Sequence, residues 1–171
     1  FTAYEKIFSN PMIGIGYLNT VFVIVVGVSL NILMTSLGAY FLSLKGVRFG
    51  TGIMFFIVLT RYFSGGLVPS YLNVRDLGLI DSRLALILPG AISTYNLIIL
   101  RTAFKAIPDS LVESAKLDGA RHYKILLRVV LPLCMPTIAV LVLYYGVEHW
   151  NAWFNASIYL KSREKWPLQL V

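Results

Sequence analysis

The sequence predicts an all-α membrane protein, a polytopic helical bundle with about four spanning helices, on three observations. Of its 171 residues 57% are hydrophobic and 13% charged, with a mean hydropathy of +0.74, whereas a soluble globular domain carries roughly 45–50% apolar and about 25% charged residues. Apolar residues gather into runs approaching the ~20 residues that cross a bilayer. Charged residues collect between those runs, most densely from Arg101 to Arg128. Together these exclude an ordinary soluble domain and a disordered chain. A net charge of +7 would suit nucleic acid, but such proteins carry their cations on a polar face rather than between apolar runs.

The first run extends from about Leu18 to Leu44 and stops at Lys45 and Arg48. Small residues within it, Gly27, Ser29, Ser36, Gly38 and Ala39, allow helices to approach closely in lipid. The second, about Thr51 to Val68, contains Arg61 and Gly65-Gly66 and is followed by Pro69. Leu84 to about Leu100 forms the third, with Pro89 inside it and Arg101 and Lys105 beyond. The fourth, about Val129 to Tyr145, continues toward Trp150 and carries Pro132 and Pro136. Proline removes a helix donor and costs roughly 3 kcal/mol in an ordinary helix interior, so these runs are expected to be kinked or locally opened. Between the last two runs, residues 106–128 read as a helix–turn–helix elbow. Pro108 sits near a helix start where Asp109 or Ser110 can cap. Leu111, Val112 and Ala115 form an apolar stripe. Gly119 permits the turn, and Ala120 to Leu127 mixes basic and apolar residues ahead of the fourth run.

Other chemistries find little support. Cys134 is the only cysteine and the two histidines are distant, so neither a disulfide nor a metal cluster is expected. The segment Gly46-Val-Arg-Phe-Gly50-Thr-Gly52 lacks the lysine and terminal hydroxyl of a phosphate loop, so the chain is not expected to hydrolyse ATP or to hold a cofactor. Glu148, His149 and Asn151 could form the polar site of a membrane-embedded enzyme, but neighbouring residues diverge by about 100° on a helix, and no nucleophile accompanies them. An ion channel would need a filter loop or charged ring that Gly65-Gly66 does not supply.

One pattern is specific. Glu113-Ser-Ala115, Gly119 and Leu131-Pro132 match the spacing E-A-A, three residues, G, nine residues, I-x-L-P, with Ser114 in place of an alanine and Val129 in place of the isoleucine. This resembles the cytoplasmic loop of the membrane subunits of binding-protein-dependent ABC importers. The longer stretch from Ala106-Ile-Pro108 through Glu113-Ser-Ala-Lys-Leu-Asp118-Gly-Ala120 is similar to the carbohydrate-importing branch. Leu77-Gly-Leu79, Leu86-Ile-Leu-Pro89 and Trp150-Asn151 extend the likeness over essentially the whole chain.

The resemblance implies a type I importer permease of the MetI-like kind, a multi-pass protein of the bacterial plasma membrane and not an enzyme. It implies that the elbow is a coupling helix seated in a cleft of a separate ATPase, which uses ATP and Mg. Glu113, Ala115 and Gly119 match the signature, Ser114 lies within it, and Asp118, Ala120 and Pro132 match the carbohydrate-type extension. The implied partners are a second homologous permease, an ATPase dimer, an extracellular solute-binding protein, the lipid bilayer and a sugar, with no nucleic acid. Such subunits have about six spans. Residues 1–171 are therefore expected to be one permease domain, a piece lacking the first and last helices, as Phe1 and the apolar end at Val171 also suggest.

A cytoplasmic elbow puts Lys45–Gly50 inside, and Phe1–Tyr17, Pro69–Arg83 and the region after Trp150 outside. Eight lysines and arginines then lie inside and six outside, in agreement with the positive-inside rule. Arg61 and Glu148 fall in outer halves of spans, where charge is costly and faces a partner or a wet cavity; they are expected to pair or to line an outer vestibule. Sugars are bound by aromatic platforms with amides or hydroxyls, making Tyr95, Asn96, Trp150 and Asn151 candidate pathway residues beside them. Tyr62, Tyr144 and Tyr145 read first as part of an interfacial aromatic belt.

Overall fold

The computed structural model describes residues 11–171, so Glu5 and Lys6 of the expected outer segment lie outside the described residues. Every regular element among those residues is helical. Helix α1 (Pro11–Ser43) has 33 residues, about 50 Å at 1.5 Å per residue and more than enough to cross a hydrocarbon layer. Its buried stripe is mostly small or polar, Gly16, Asn19, Thr20, Gly27, Asn31, Thr35, Ser36 and Ala39, with only Val23, Tyr40 and Leu42 as larger apolar members. Large apolar groups such as Leu18, Phe22, Val25, Leu33, Leu37 and Phe41 point outward. A helix of a soluble protein has the opposite arrangement. In lipid, the outward groups meet an apolar solvent while small and polar groups favour helix contacts.

The second and third apolar runs are not continuous helices. Helix α2 (Gly50–Thr60) ends before Arg61, and α3 (Leu67–Asp76) starts only after Gly66, whose φ of +84° suits a residue without a Cβ. In the third run a 3₁₀ turn at Arg83–Leu86 is followed by irregular backbone around Pro89-Gly90 and then by α4 (Thr94–Lys105). Hydropathy identifies the medium around these residues, but proline and glycine decide where the backbone can stay helical.

Helix α5 (Asp109–Leu117) and α6 (His122–Ile125) form the two arms of the elbow. A π turn at Leu126–Val130 and the short α7 (Leu131–Leu133) lead to α8 (Met135–Trp150), followed by α9 (Trp153–Tyr159). The segment His122–Leu133 is bent by 84° from Met135–Trp150. The break falls at Cys134, with φ −102° and ψ 14°, between Pro132 and Pro136, which supply no N–H to the ladder. The expected proline distortion is present.

The helices divide into two compact units. Among the described residues, one comprises those up to Leu30, Gly65–Ala91 and Tyr144–Val171, with Val23, Val74, Ala85, Leu86, Ile87, Ala156, Tyr159 and Leu160 at its core. Here α1 holds the segment 164–171 through polar side chains. The Asn19 amide donates to the carbonyls of Glu164 and Trp166 at 2.7 and 3.0 Å, and the Thr20 hydroxyl accepts the Leu168 N–H at 2.9 Å. A Cβ at Gly16 would lie 3.2 Å from the Leu168 Cα, and one at Gly27 would lie 2.5 Å from the His149 Nε2. Thus Gly27 permits a close approach, whereas Ser29 is exposed and bonds back to the Val25 carbonyl.

Asp81, itself in the left-handed region at φ +59°, ties the loop after α3 to residues 161–165. Its carboxylate accepts from the Lys165 ammonium at 2.8 Å, from the Lys161 and Ser162 N–H groups at 3.0 and 2.9 Å, and from the Ser162 hydroxyl at 2.7 Å. Lys165 first, and then Ser162, hold this carboxyl well below the usual carboxylate range.

The other unit comprises Asn31–Ser64 and Ile92–Leu143. Ala39, Tyr40, Leu42, Leu97, Leu100, Phe104, Ile125, Leu126, Val130, Cys134 and Leu141 form its core. The elbow lies wholly within this unit.

Candidate functional site

The elbow owes its turn to a specific arrangement of backbone bonds. Gly119 has φ +77°. Its N–H donates to the Lys116 carbonyl at 2.9 Å, and the Ala120 N–H reaches back to the Ala115 carbonyl at 2.9 Å. These are the paired bonds of a Schellman cap, which satisfy carbonyls left over at the end of α5. Ala115 and Ala120 both pack against the core, as does Val112. The spacing Ala115-x-x-x-Gly119-Ala120 is therefore that of a helix stop with its apolar clasp. Leu77-Gly78-Leu79 repeats the arrangement after α3: Gly78 has φ +68°, and its N–H and that of Leu79 bond to the carbonyls of Arg75 and Val74.

Capping at the start of α5 differs from expectation. Neither Asp109 nor Ser110 makes a side-chain cap. The Asp109 carboxylate instead pairs with Lys45, while the Ser114 hydroxyl donates to the Ser110 carbonyl at 2.7 Å. The apolar stripe is narrower than Leu111, Val112 and Ala115 together, because Leu111 is exposed. Glu113, Ser114, Asp118 and Gly119 are exposed, as is Pro132 in α7. Beside them stands Leu117, 90% exposed, a residue that periodicity did not single out because it belongs to no stripe. It presents a large apolar group among exposed carboxylates and hydroxyls.

Three contacts fasten this unit's end of α1 to the elbow and its approach. Lys45 pairs with Asp109, and the hydrogen bond and charge of Asp109 raise the Lys45 pKa, with Glu113 acting in the same direction. The Tyr40 hydroxyl lies 3.1 Å from the His122 Nδ1. The Arg101 Nε donates at 3.0 Å to the Leu42 carbonyl, satisfying an acceptor in the last turn of α1, which contains no basic residue of its own. These pairs are separated by 64, 82 and 59 residues in the chain, so sequence spacing could not reveal them. The Lys45–Asp109 and Tyr40–His122 pairs border a hollow of about 530 Å³, lined also by Phe104 and Glu113 among others.

The candidate pathway residues divide between the units. Arg61, Tyr95 and Asn96 belong to the unit that contains the elbow; Glu148, Trp150 and Asn151 belong to the other. Arg61 and Glu148 are both exposed, and neither makes an ion pair among the described residues. Asn96 is buried while Tyr95 is 54% exposed. The Asn151 amide donates to the Val147 carbonyl at 3.0 Å. Glu148 is exposed whereas the neighbouring His149 is buried, packed where a Gly27 Cβ would otherwise stand. Their side chains do not converge as an acid–base pair would.

Known proteins give this geometry its context. The chain is similar to the polygalacturonan/rhamnogalacturonan transport system permease protein YtcP of Bacillus subtilis, at 46% identity over 99% of this chain and 59% of that protein. It is 40% identical to protein LplC of the same organism, over 99% of this chain and 57% of that one. The crystal structure of a bacterial ABC transporter involved in the import of the acidic polysaccharide alginate contains a chain with a TM-score of 0.96 and 36% identity, covering 99% of this chain and 61% of that one. The chain thus spans about three-fifths of the length of these relatives. The fold is that of a MetI-like permease, and the enzymatic reading has no support in a family of transport components. The sequence profile described as binding-protein-dependent transport system inner membrane component matches residues 7–160, and the chain belongs to that family.

Proposed function

We propose that this chain is part of a multi-pass permease subunit of an ATP-driven importer, and that α5 couples it to a separate ATPase subunit. The observation that carries the reading is the exposed face of α5. Glu113 offers a carboxylate to a basic group, Ser114 permits close seating, and Leu117 supplies an apolar anchor at 90% exposure, all on a helix stopped by the Gly119 cap. Closure of an ATPase dimer on ATP and Mg moves the elbow. The Lys45–Asp109, Tyr40–His122 and Arg101–Leu42 contacts carry that movement to the end of α1. A second, homologous permease completes the pathway, and an extracellular binding protein delivers the solute. Arg61, Tyr95, Asn96, Glu148, Trp150 and Asn151 remain its candidate pathway residues.

The substrate is proposed to be an oligosaccharide rich in uronate. Two relatives support this: one named for polygalacturonan and rhamnogalacturonan, the other for alginate, all polymers containing sugar carboxylates. Reconstituting the full-length importer with its binding protein tests the reading. Oligogalacturonate is expected to stimulate ATP hydrolysis and to be taken up, whereas a neutral galacto-oligosaccharide of equal length is not. Equal transport of both would remove the uronate assignment. ATP-independent uptake would remove the importer reading itself.

A further inference from the structure

The second arm of the elbow carries a surface separate from the face of α5 proposed for coupling. Arg121 at the extended N-cap of α6, Lys124 within α6 and Arg128 in the π turn that follows lie within eight consecutive residues, and all three are exposed. Their side chains make no ion pair or hydrogen bond among the described residues. Tyr123 and Leu127, 54% and 60% exposed, form an apolar strip alongside, while Ile125, Leu126 and Val130 are buried in the unit's core. The segment His122–Leu133 is bent 84° from Met135–Trp150. If α8 stands near the bilayer normal, this segment therefore lies close to the membrane plane. An amphipathic helix in that plane, with cations beside an exposed apolar strip, has the composition of an interfacial helix.

We propose that Arg121, Lys124 and Arg128 form a binding surface for anionic phospholipid of the cytoplasmic leaflet, with Tyr123 and Leu127 entering the acyl boundary. The inference rests on the permease reading, which places the elbow on the cytoplasmic side. Charge complementarity identifies the occupant: three unpaired cations stand within eight consecutive residues. The nearest carboxylate in sequence, Asp118, precedes the first of them by three residues on the far side of the Gly119 turn. Lysines and arginines at such a surface each contribute about 1 kcal/mol, or roughly fivefold in binding.

The test is native mass spectrometry of the full-length importer, counting bound phosphatidylglycerol against phosphatidylcholine. Wild type is expected to retain phosphatidylglycerol preferentially, and Arg121→Gln, Lys124→Gln and Arg128→Gln each to reduce its binding about fivefold. Arg163→Gln, in the other unit, serves as a control and is expected to leave binding unchanged. The proposal is overturned if the triple variant binds phosphatidylglycerol as wild type does, or if wild type shows no preference. It is also overturned if the triple variant loses its ATPase subunits, since the surface would then be a protein contact. Lipid counting requires no transport, so failure of the lipid surface is distinguishable from failure of the permease reading, which uptake measures.

Discussion

Gly119 can be interpreted from either sequence or structure, and for the same reason. A positive φ costs a residue with a Cβ roughly 1–2 kcal/mol, less for asparagine. A Cβ at position 119 would meet nothing within 4 Å, so the cost of substitution is a backbone cost. Gly119→Ala is expected to lower hydrogen-exchange protection at Ala120 about tenfold, and Gly119→Asn to lower it less; equal loss in both variants would contradict the cap. At Gly27 the cost is steric instead. Gly27→Ala is expected to destabilise the protein by about 1–3 kcal/mol in thermal unfolding through its clash with the His149 ring, and His149→Ala to rescue part of that loss. Asp81 works through charge. Its pKa is depressed by folding, so its contribution is present at neutral pH and is lost only as pH falls below the ordinary carboxylate range. Asp81→Asn is expected to raise amide exchange at Lys161 and Ser162 about tenfold at pH 7, and to make little difference in strong acid.

Elements were less legible than residues. The runs at Thr51–Val68 and Leu84–Leu100 are apolar enough to cross a membrane, yet each is interrupted by glycine or proline whose backbone effect outweighs hydropathy. Conversely, α1 is one unbroken helix because no proline or positive-φ residue interrupts Met12–Ser43; its end matches the expected Leu44 within a residue, whereas its start at Pro11 lies seven residues before the expected Leu18. Pro132 and Pro136 announced a distortion, and the structure gives its size, 84° at Cys134. If the prolines cause it, Pro132→Ala with Pro136→Ala should lengthen a spin-label distance between positions 124 and 143 from about 21 Å toward about 28 Å. An unchanged distance would assign the bend to surrounding packing. The tether of α1 to the elbow was invisible in the sequence because Lys45 and Asp109, or Tyr40 and His122, become neighbours only after folding.

For the whole molecule, the excess of positive charge now has a location. Its densest part is the elbow, in which Lys116, Arg121, Lys124 and Arg128 are all exposed. The motif spacing that suggested the family also encodes a helix, its stop and its clasp, so fold and candidate site are legible through the same residues. Leu117 adds what spacing could not: an apolar side chain left open in the last turn of α5. If an ATPase subunit covers it, Leu117→Asp should weaken copurification of that subunit by about 10–100-fold, the equivalent of an exposed leucine's burial. The most direct measurement is site-specific crosslinking from Leu117→Cys in the full-length importer, with and without ATP. A crosslink to the ATPase subunit whose yield changes when ATP closes the dimer is the predicted result. A crosslink only to lipid or to the second permease, or a yield indifferent to ATP, would contradict the assignment of α5 as the coupling element.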